Sequence, residues 1–202
     1  KKGVLGLPKV SVNSYVGVQT AWKQLDLLNR DQYLDFGREL LENNGDAIPQ
    51  RFDNMGEFAN IDTDWQDEMF RSAPIQDHNV AVSGGSESVL YNVSVGYFKQ
   101  NGIMQGTDFE RVSFRTNTDF KISSRVSAGQ TFTIAYSYRN NEPFTGGRSQ
   151  LEHMVKMVPY MPVRDPSRLG GFRAPDRVDG SDPENPVLNA ELRTNRRQDL
   201  KI

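Results

Sequence analysis

The strongest constraint on this chain is a run of two-residue alternation over residues 78–139. Over 109–122 one set of positions carries Val112, Phe114, Thr116, Thr118, Phe120 and Ile122, and the other Arg111, Ser113, Arg115, Asn117, Asp119 and Lys121. The stretch 126–139 repeats this with Val126, Ala128, Phe132, Ile134, Tyr136 and Tyr138 opposite Ser, Gly and Thr. So does 89–97, where Val89, Tyr91, Val93, Val95 and Tyr97 oppose Leu90, Asn92, Ser94 and Gly96. Successive side chains of a strand point to opposite faces, so these segments predict a sheet with one apolar and one polar surface. Two of the runs far exceed the usual strand of about 5–6 residues. They reach the roughly 9–11 residues that a tilted strand needs to cross a bilayer. Two architectures fit: an outer-membrane barrel, apolar toward lipid and polar toward the lumen, and a soluble antiparallel sheet with one wet face.

Charge and composition remove some classes. With 24 basic and 26 acidic side chains the net charge is −2, which argues against a nucleic-acid partner held by a basic face. No apolar run approaches the roughly 18 residues of a transmembrane helix, and a barrel strand would not produce one. Cysteine is absent, which fixes no compartment. Lys1-Lys2-Gly3 leads toward a strand without a signal-peptide pattern. A single sheet of about five strands would be poorly covered by the rest of the chain, so the sequence reads as a piece of something larger.

Strands are expected near 9–20, 78–83, 89–98, 109–122 and 126–139. Pro8 stands at the start of the first, where a missing N–H costs least. Short turns are expected around Ser86 and Ser124, and Gly84-Gly85 reads as a turn with positive φ rather than a phosphate cradle, since no helix follows. Between the first two strands, Asn29 and Gln32 form a capping-box pattern. Tyr33, Phe36, Leu40 and Leu41 follow at helical spacing as a packing stripe, and Gly45 supplies the stop. Asp64 reads as the N-cap of a short helix, which explains Asp67 and Glu68 in its first turn better than a metal site does. After Asn140 the chain leaves the sheet for a long excursion. Ser149 caps a helix expected through Val158, and a Pro/Gly/Asp/Arg coil follows over 165–186. The stretch ending at Ile202 reads as the start of a further strand.

Chemistry-bearing constellations are sparse. Asp176, Asp179, Asp182 and Glu184 lack the alternate-oxygen spacing of a calcium loop and read as a solvated acidic loop. His78 and His153 carry no motif around them, and no GxSxG, P-loop or HExxH occurs. The chain is expected not to be an enzyme and to need no cofactor or metal.

Several stretches, in order along the chain, carry a resemblance. These are Lys1-Lys2-Gly3, Leu25-Asp26-Leu27-Leu28-Asn29, and the run from Thr63-Asp64-Trp65-Gln66-Asp67 to Arg71. His78-Asn79-Val80-Ala81-Val82-Ser83-Gly84-Gly85, Gly96-Tyr97-Phe98 with Asn101-Gly102, Phe109-Glu110-Arg111 with Arg115-Thr116-Asn117, and Asn185-Pro186-Val187 complete the set. Together they resemble the SusC/RagA type of TonB-dependent outer-membrane transporter. The resemblance implies a mainly β fold: a segment of an antiparallel up-and-down transmembrane barrel of about 22 strands, with long loops containing short helices. Residues 1–8 would link the internal plug to the barrel, and 9–202 would be its N-terminal part, with extracellular loops near 22–76 and 140–197.

It also implies a role and partners. The whole protein would sit in the outer membrane of a Bacteroidota-like Gram-negative cell. It would import oligosaccharides or peptides beneath a SusD-like surface lipoprotein, driven by TonB acting through the plug, with outer-membrane lipid around it and no nucleic acid. Arg111, Arg115, Asn117 and Asp119 would be lumen-facing polar residues. Loops carry binding on a rigid scaffold, and aromatic rings suit sugar faces. The substrate-contact candidates are therefore Trp65, Phe144, Tyr160 and Phe172, with packing inside the loops as the alternative for each. The competing architecture is a soluble β-sandwich, a carbohydrate-binding or adhesin module. It would need a second sheet's worth of strands after Asn140.

Overall fold

The computed structural model describes residues 3–142 and 149–202. Six strands form one sheet in sequence order, each antiparallel to the next. They are β1 (Gly6–Gln19), β2 (Ala73–Gly85), β3 (Val89–Asn101), β4 (Asp108–Lys121), β5 (Ser127–Asn141) and β6 (Asn195–Lys201). Helices occur only in the connections: α1 (Arg30–Asn44), α2 (Gln50–Asp53) and α3 (Trp65–Met69) between β1 and β2, then α4 (Gln150–Lys156) and α5 (Pro186–Leu192) between β5 and β6. Both tight turns lie at one end of the sheet, closed by Ser86 N–H to Val89 O and by Ile122 N–H to Val126 O. The two long connections and the shorter one over 102–107 lie at the other.

The pairing register places the alternating residues as their period demands. Val12, Val80, Val95, Phe114 and Ile134 form one continuous row across five strands, and Val10, Val82, Val93, Thr116 and Phe132 form the next. Among the described residues no element covers this face: Val12 is 66% exposed, Val95 50% and Val112 46%. The opposite face carries Asn13, Asn79, Ser94, Arg115 and Thr133. Among the described residues, none of the strands contributes to the buried hydrophobic cluster.

The core lies in the loops instead. Phe52, Phe58, Trp65, Met69, Met154, Met157, Val158, Tyr160, Met161, Phe172, Val187 and Ala190 form one buried cluster drawn from both long connections. Hydrogen bonds tie the two together: Thr63 N–H to Pro159 O at 2.6 Å, the Thr63 hydroxyl to Met161 O at 2.7 Å and the Trp65 indole N–H to Val158 O at 3.1 Å. The shorter connection rivets this body to the sheet. Gln105 N–H donates to Met69 O and Arg71 N–H to Ile103 O. Gly106, at φ 79°, lies so close to Ala190 that a Cβ would stand 2.7 Å from that residue's carbonyl oxygen.

Several local expectations are met in detail. Asn29 and Gln32 close the capping box of α1, and Gly45 ends it in the left-handed region. Asp64 and Ser149 cap α3 and α4. Other details are corrected. The second strand begins at Ala73, not His78, because Pro74 to Gln76 pair with β1 as far as Val18. Gly84 and Gly85 are not positive-φ turn residues but extended strand; the glycines provide space, since a Cβ on Gly85 would lie 2.5 Å from Val89 O. Helix α4 stops at Lys156, short of Val158, whose position before Pro159 disfavours helical backbone. Asn185-Pro186 opens a helix, with the Asn185 side chain accepting from Val187 and Leu188 N–H, and the sixth strand starts only at Asn195. The α1 stripe divides: Tyr33 and Leu41 pack on the loop core, whereas Phe36 and Leu40 are exposed.

Trp65→Ala should remove about 3–5 kcal/mol from the loop body and leave the strand ladders standing. Hydrogen exchange tests this: the Thr63 and Met157 amides should lose protection while Val93 and Phe114 keep theirs. Equal loss at all four would mean that the two parts unfold as one.

Candidate functional site

The two long connections enclose a cavity of about 510 Å³ at the loop end of the molecule. One wall is the approach to α1, with Leu25, Leu27, Leu28 and Asn29, followed by Tyr33 and Phe36. The other is the start of α3 with Met154, Val155, Met157 and Pro159. The approach segment is held by a reciprocal pair: Leu25 N–H donates to Gln66 Oε1 at 2.8 Å, and Gln66 Nε2 donates back to Leu25 O at 2.7 Å. The buried Gln66 amide thus acts like a neighbouring strand. Gln24 adds a hydrogen bond to Asp67, and Arg30 N–H donates to Asp62 Oδ1 at 2.9 Å. The result is an apolar recess rimmed by amides and carboxylates, with Leu25 and Phe36 both more than half exposed. Such a lining suits an organic ligand bearing polar groups.

A partly buried ion-pair network also joins the two long connections. Arg51 reaches across 128 residues to Asp179, whose side chain is fully buried, with Nε to Oδ1 at 2.9 Å. The Arg51 guanidinium also stands 4.5 Å from the Phe58 ring centre, and that of Arg173 stands 5.0 Å from the same ring. Arg173 contacts Asp165 and Asp176 in turn. The acidic loop is therefore not simply solvated: Asp179 faces Arg51, Asp176 faces Arg168 and Arg173, and Glu184 faces Arg193. Guanidinium groups stand where a bound cation would have to be. No group of three or more metal-ligating side chains occurs among the described residues. Burial raises the pKa of Tyr160 and Tyr33 above the ordinary tyrosine value, and the nearby Asp179 charge pushes both the same way.

The aromatic candidates fall on the packing side. Trp65, Tyr160 and Phe172 are 3%, 0% and 7% exposed, and all belong to the loop core. Trp65 edges the cavity wall, Tyr160 packs edge-on against Tyr33 and Phe52, and Phe172 lies beneath Arg164. Phe144 lies outside the described residues. The ring left accessible in the cavity is Phe36, which the sequence reading counted only as packing. Its signal was the Leu25-Asp26-Leu27-Leu28 run just before α1, too apolar for an ordinary surface loop.

Arg111, Arg115, Asn117 and Asp119 share the polar face of β4. Arg115 lies between Ser94 and Thr133, and Asn117 between Asn92 and Thr131. Arg111 stands with its guanidinium 5.7 Å from the Phe98 ring, beside the Phe98–Phe109 pair. Arg139 meets Asp199 at 3.0 Å on the same face.

Known proteins share this arrangement. A TonB-dependent receptor of Formosa agariphila is 30% identical over 188 residues, covering 93% of this chain and 18% of its own length. The SusC receptor of Bacteroides thetaiotaomicron is 28% identical over 97% of the chain and 20% of its own length. Over nearly its whole length the chain is similar to TonB-dependent receptors, the SusC receptor among them. It spans about a fifth of the length of these curated relatives. No family model matches it. The fold agrees with the receptors: a structure of the RagAB peptide importer in its closed-closed state superposes with a TM-score of 0.60 over 86% of the chain and 22% of that protein, at 24% identity. A second structure, of the RagAB peptide transporter, gives the same TM-score over 79% of the chain.

The buried tyrosines give this loop body an alkaline limit. Their folded pKa values are raised, so the folded state keeps its protons more tightly than the unfolded chain. The associated stability is complete below the unfolded value of about 10 and is lost as pH rises above it. Tyrosinate absorbance at high pH should show Tyr33 and Tyr160 ionising only together with loss of the Trp65 environment. Ionisation of both while Trp65 fluorescence stays native would contradict this.

Proposed function

We propose that this chain forms the beginning of the barrel wall and two outer loops of a TonB-dependent outer-membrane transporter. In this reading residues 1–8 link an internal plug to β1, and 9–202 are wall and loops. The single observation that carries it is the pairing of a bare apolar face with a polar one on the same six strands. A soluble sandwich would cover the apolar face with a second sheet, and among the described residues every named strand belongs to one sheet. From Val89 to Tyr97 the apolar face of β3 extends about 26 Å along the strand, on the scale of the ~25 Å apolar band of outer-membrane barrels. Above it the outward row becomes mixed, with Gln76, Lys99, Glu110 and Gln198 alongside Val16 and Tyr138. The relatives are receptors and transporters rather than enzymes.

The transported material would be an oligosaccharide or a peptide, taken up beneath a SusD-like lipoprotein and drawn inward when TonB acts on the plug. The polar face, with Arg111, Arg115, Asn117 and Asp119, would line the lumen and keep it wet. Substrate contact would come from the recess around Leu25, Leu28 and Phe36. Trp65, Tyr160 and Phe172 would shape it from beneath, because buried rings offer no face to a sugar.

Neighbouring positions on one strand separate lipid from lumen. In the full-length receptor, Val95→Lys should cost about 2–4 kcal/mol near the bilayer midplane and sharply reduce the heat-modifiable barrel in outer-membrane fractions. Ser94→Lys, one residue away on the polar face, should leave that band near wild-type intensity. Equal tolerance of both lysines would sink the barrel reading.

A further inference from the structure

The approach to β1 contains a contact that strand pairing does not require. Gly6 pairs with Gly85 of β2, yet three residues earlier Gly3 lies against β3. A Cβ on Gly3 would stand 2.3 Å from the Tyr91 amide nitrogen, 2.6 Å from its carbonyl oxygen and 2.8 Å from the Leu90 carbonyl carbon. All three are backbone atoms of the ladder near the start of β3, where Tyr91 pairs with Gly84 on one side and Thr118 on the other. They cannot turn aside as a flexible side chain could. Any residue but glycine would have to lift the chain off the sheet.

We propose that Gly3 is a positioning residue, the point where the chain entering β1 crosses the end of β2 on the sheet's polar face and is seated on β3. None of the three nearest atoms belongs to the Tyr91 side chain, which projects from the apolar face. On the polar face Leu90 is the one aliphatic residue of β3. Near it the approach leaves Val4, Leu5 and Leu7 at 64%, 66% and 87% exposure. Seating at Gly3 fixes the path by which the approach over Val4, Leu5 and Leu7 enters β1. This rests on the transporter reading above, in which what precedes β1 is internal.

The test uses the full-length receptor with Gly3→Val and Gly3→Ala, and Lys9→Ala as a control beyond the seat. Heat-modifiable mobility reports the barrel, protease added from the periplasmic side reports exposure of residues 1–8, and substrate uptake reports transport. Gly3→Val is expected to keep the barrel, raise cleavage of this segment about tenfold through a larger open population, and lower uptake. Gly3→Ala should lie between Gly3→Val and wild type, with Lys9→Ala unchanged. Should Gly3→Val fail to assemble, the cleavage rate of Gly3→Ala decides. Wild-type protection in every assembled Gly3 variant would overturn the seat. Absence of uptake by the unmodified receptor would count against the transporter reading instead, and the cleavage comparison would still decide the seat.

Discussion

A sheet that is apolar on one side and polar on the other must put its apolar side somewhere, and the described residues of this chain leave it uncovered. The large side chains available for burial outside the strands are spent on each other: Trp65, Tyr160, Phe58, Phe172 and the methionines Met69, Met154, Met157 and Met161 form a separate core above the sheet. The Val12–Val80–Val95–Phe114–Ile134 row is left bare. In water such a surface costs roughly 25 cal/mol for each Å² left exposed, and in lipid it costs nothing. The ladder alone holds the strands in register, and the surroundings supply what a soluble protein takes from its interior.

That division explains why the loop body is built as it is. Loops above a barrel cannot borrow stability from a core inside the sheet, so they need their own. The long connections achieve this by closing on each other, through Trp65 to Val158 and Arg51 to Asp179. The second of these is a buried charge pair, whose rupture by loss of one partner typically costs about 3–5 kcal/mol. Phe58 between two guanidiniums and the Asp165–Arg173–Asp176 chain spread that charge over several partners. A recess walled by such a body keeps its shape without the rest of the barrel having to define it.

How much of this could be read in the sequence follows from the range of each interaction. The sheet faces were legible because strand period is local: Val112, Phe114 and Phe120 declare their side within one strand, and Arg111, Arg115, Asn117 and Asp119 declare the other. Helix caps were legible for the same reason, since Asn29 and Gln32 satisfy each other three residues apart. The loop core was not, because the partner of Trp65 is 93 residues away and that of Asp179 is 128 residues away. No period connects such pairs. For the same reason the sequence left Trp65 and Tyr160 open between substrate contact and packing, and made Phe36 look like packing alone. Gly84 and Gly85 were misread differently: a turn rule based on φ was applied where the requirement is proximity to Val89 and Tyr91.

Proximity of that kind also bears on how the sheet begins. β1 and β6 are its two open edges, and an open edge presents unpaired N–H and C=O groups that lipid cannot satisfy. At the β1 edge, Gly6 is at φ 127° and a register shift lies between Gly6 and Lys9, with Pro8 inside it, so the ladder is already irregular there. A strand held only by such an irregular start would fray from its first residues. Contact of Gly3 with the β3 backbone adds a hold beyond the fraying point, one strand further into the wall. Because that hold needs the absence of a side chain rather than the presence of one, it leaves no trace in hydrophobic pattern or charge and emerges only from the backbone path.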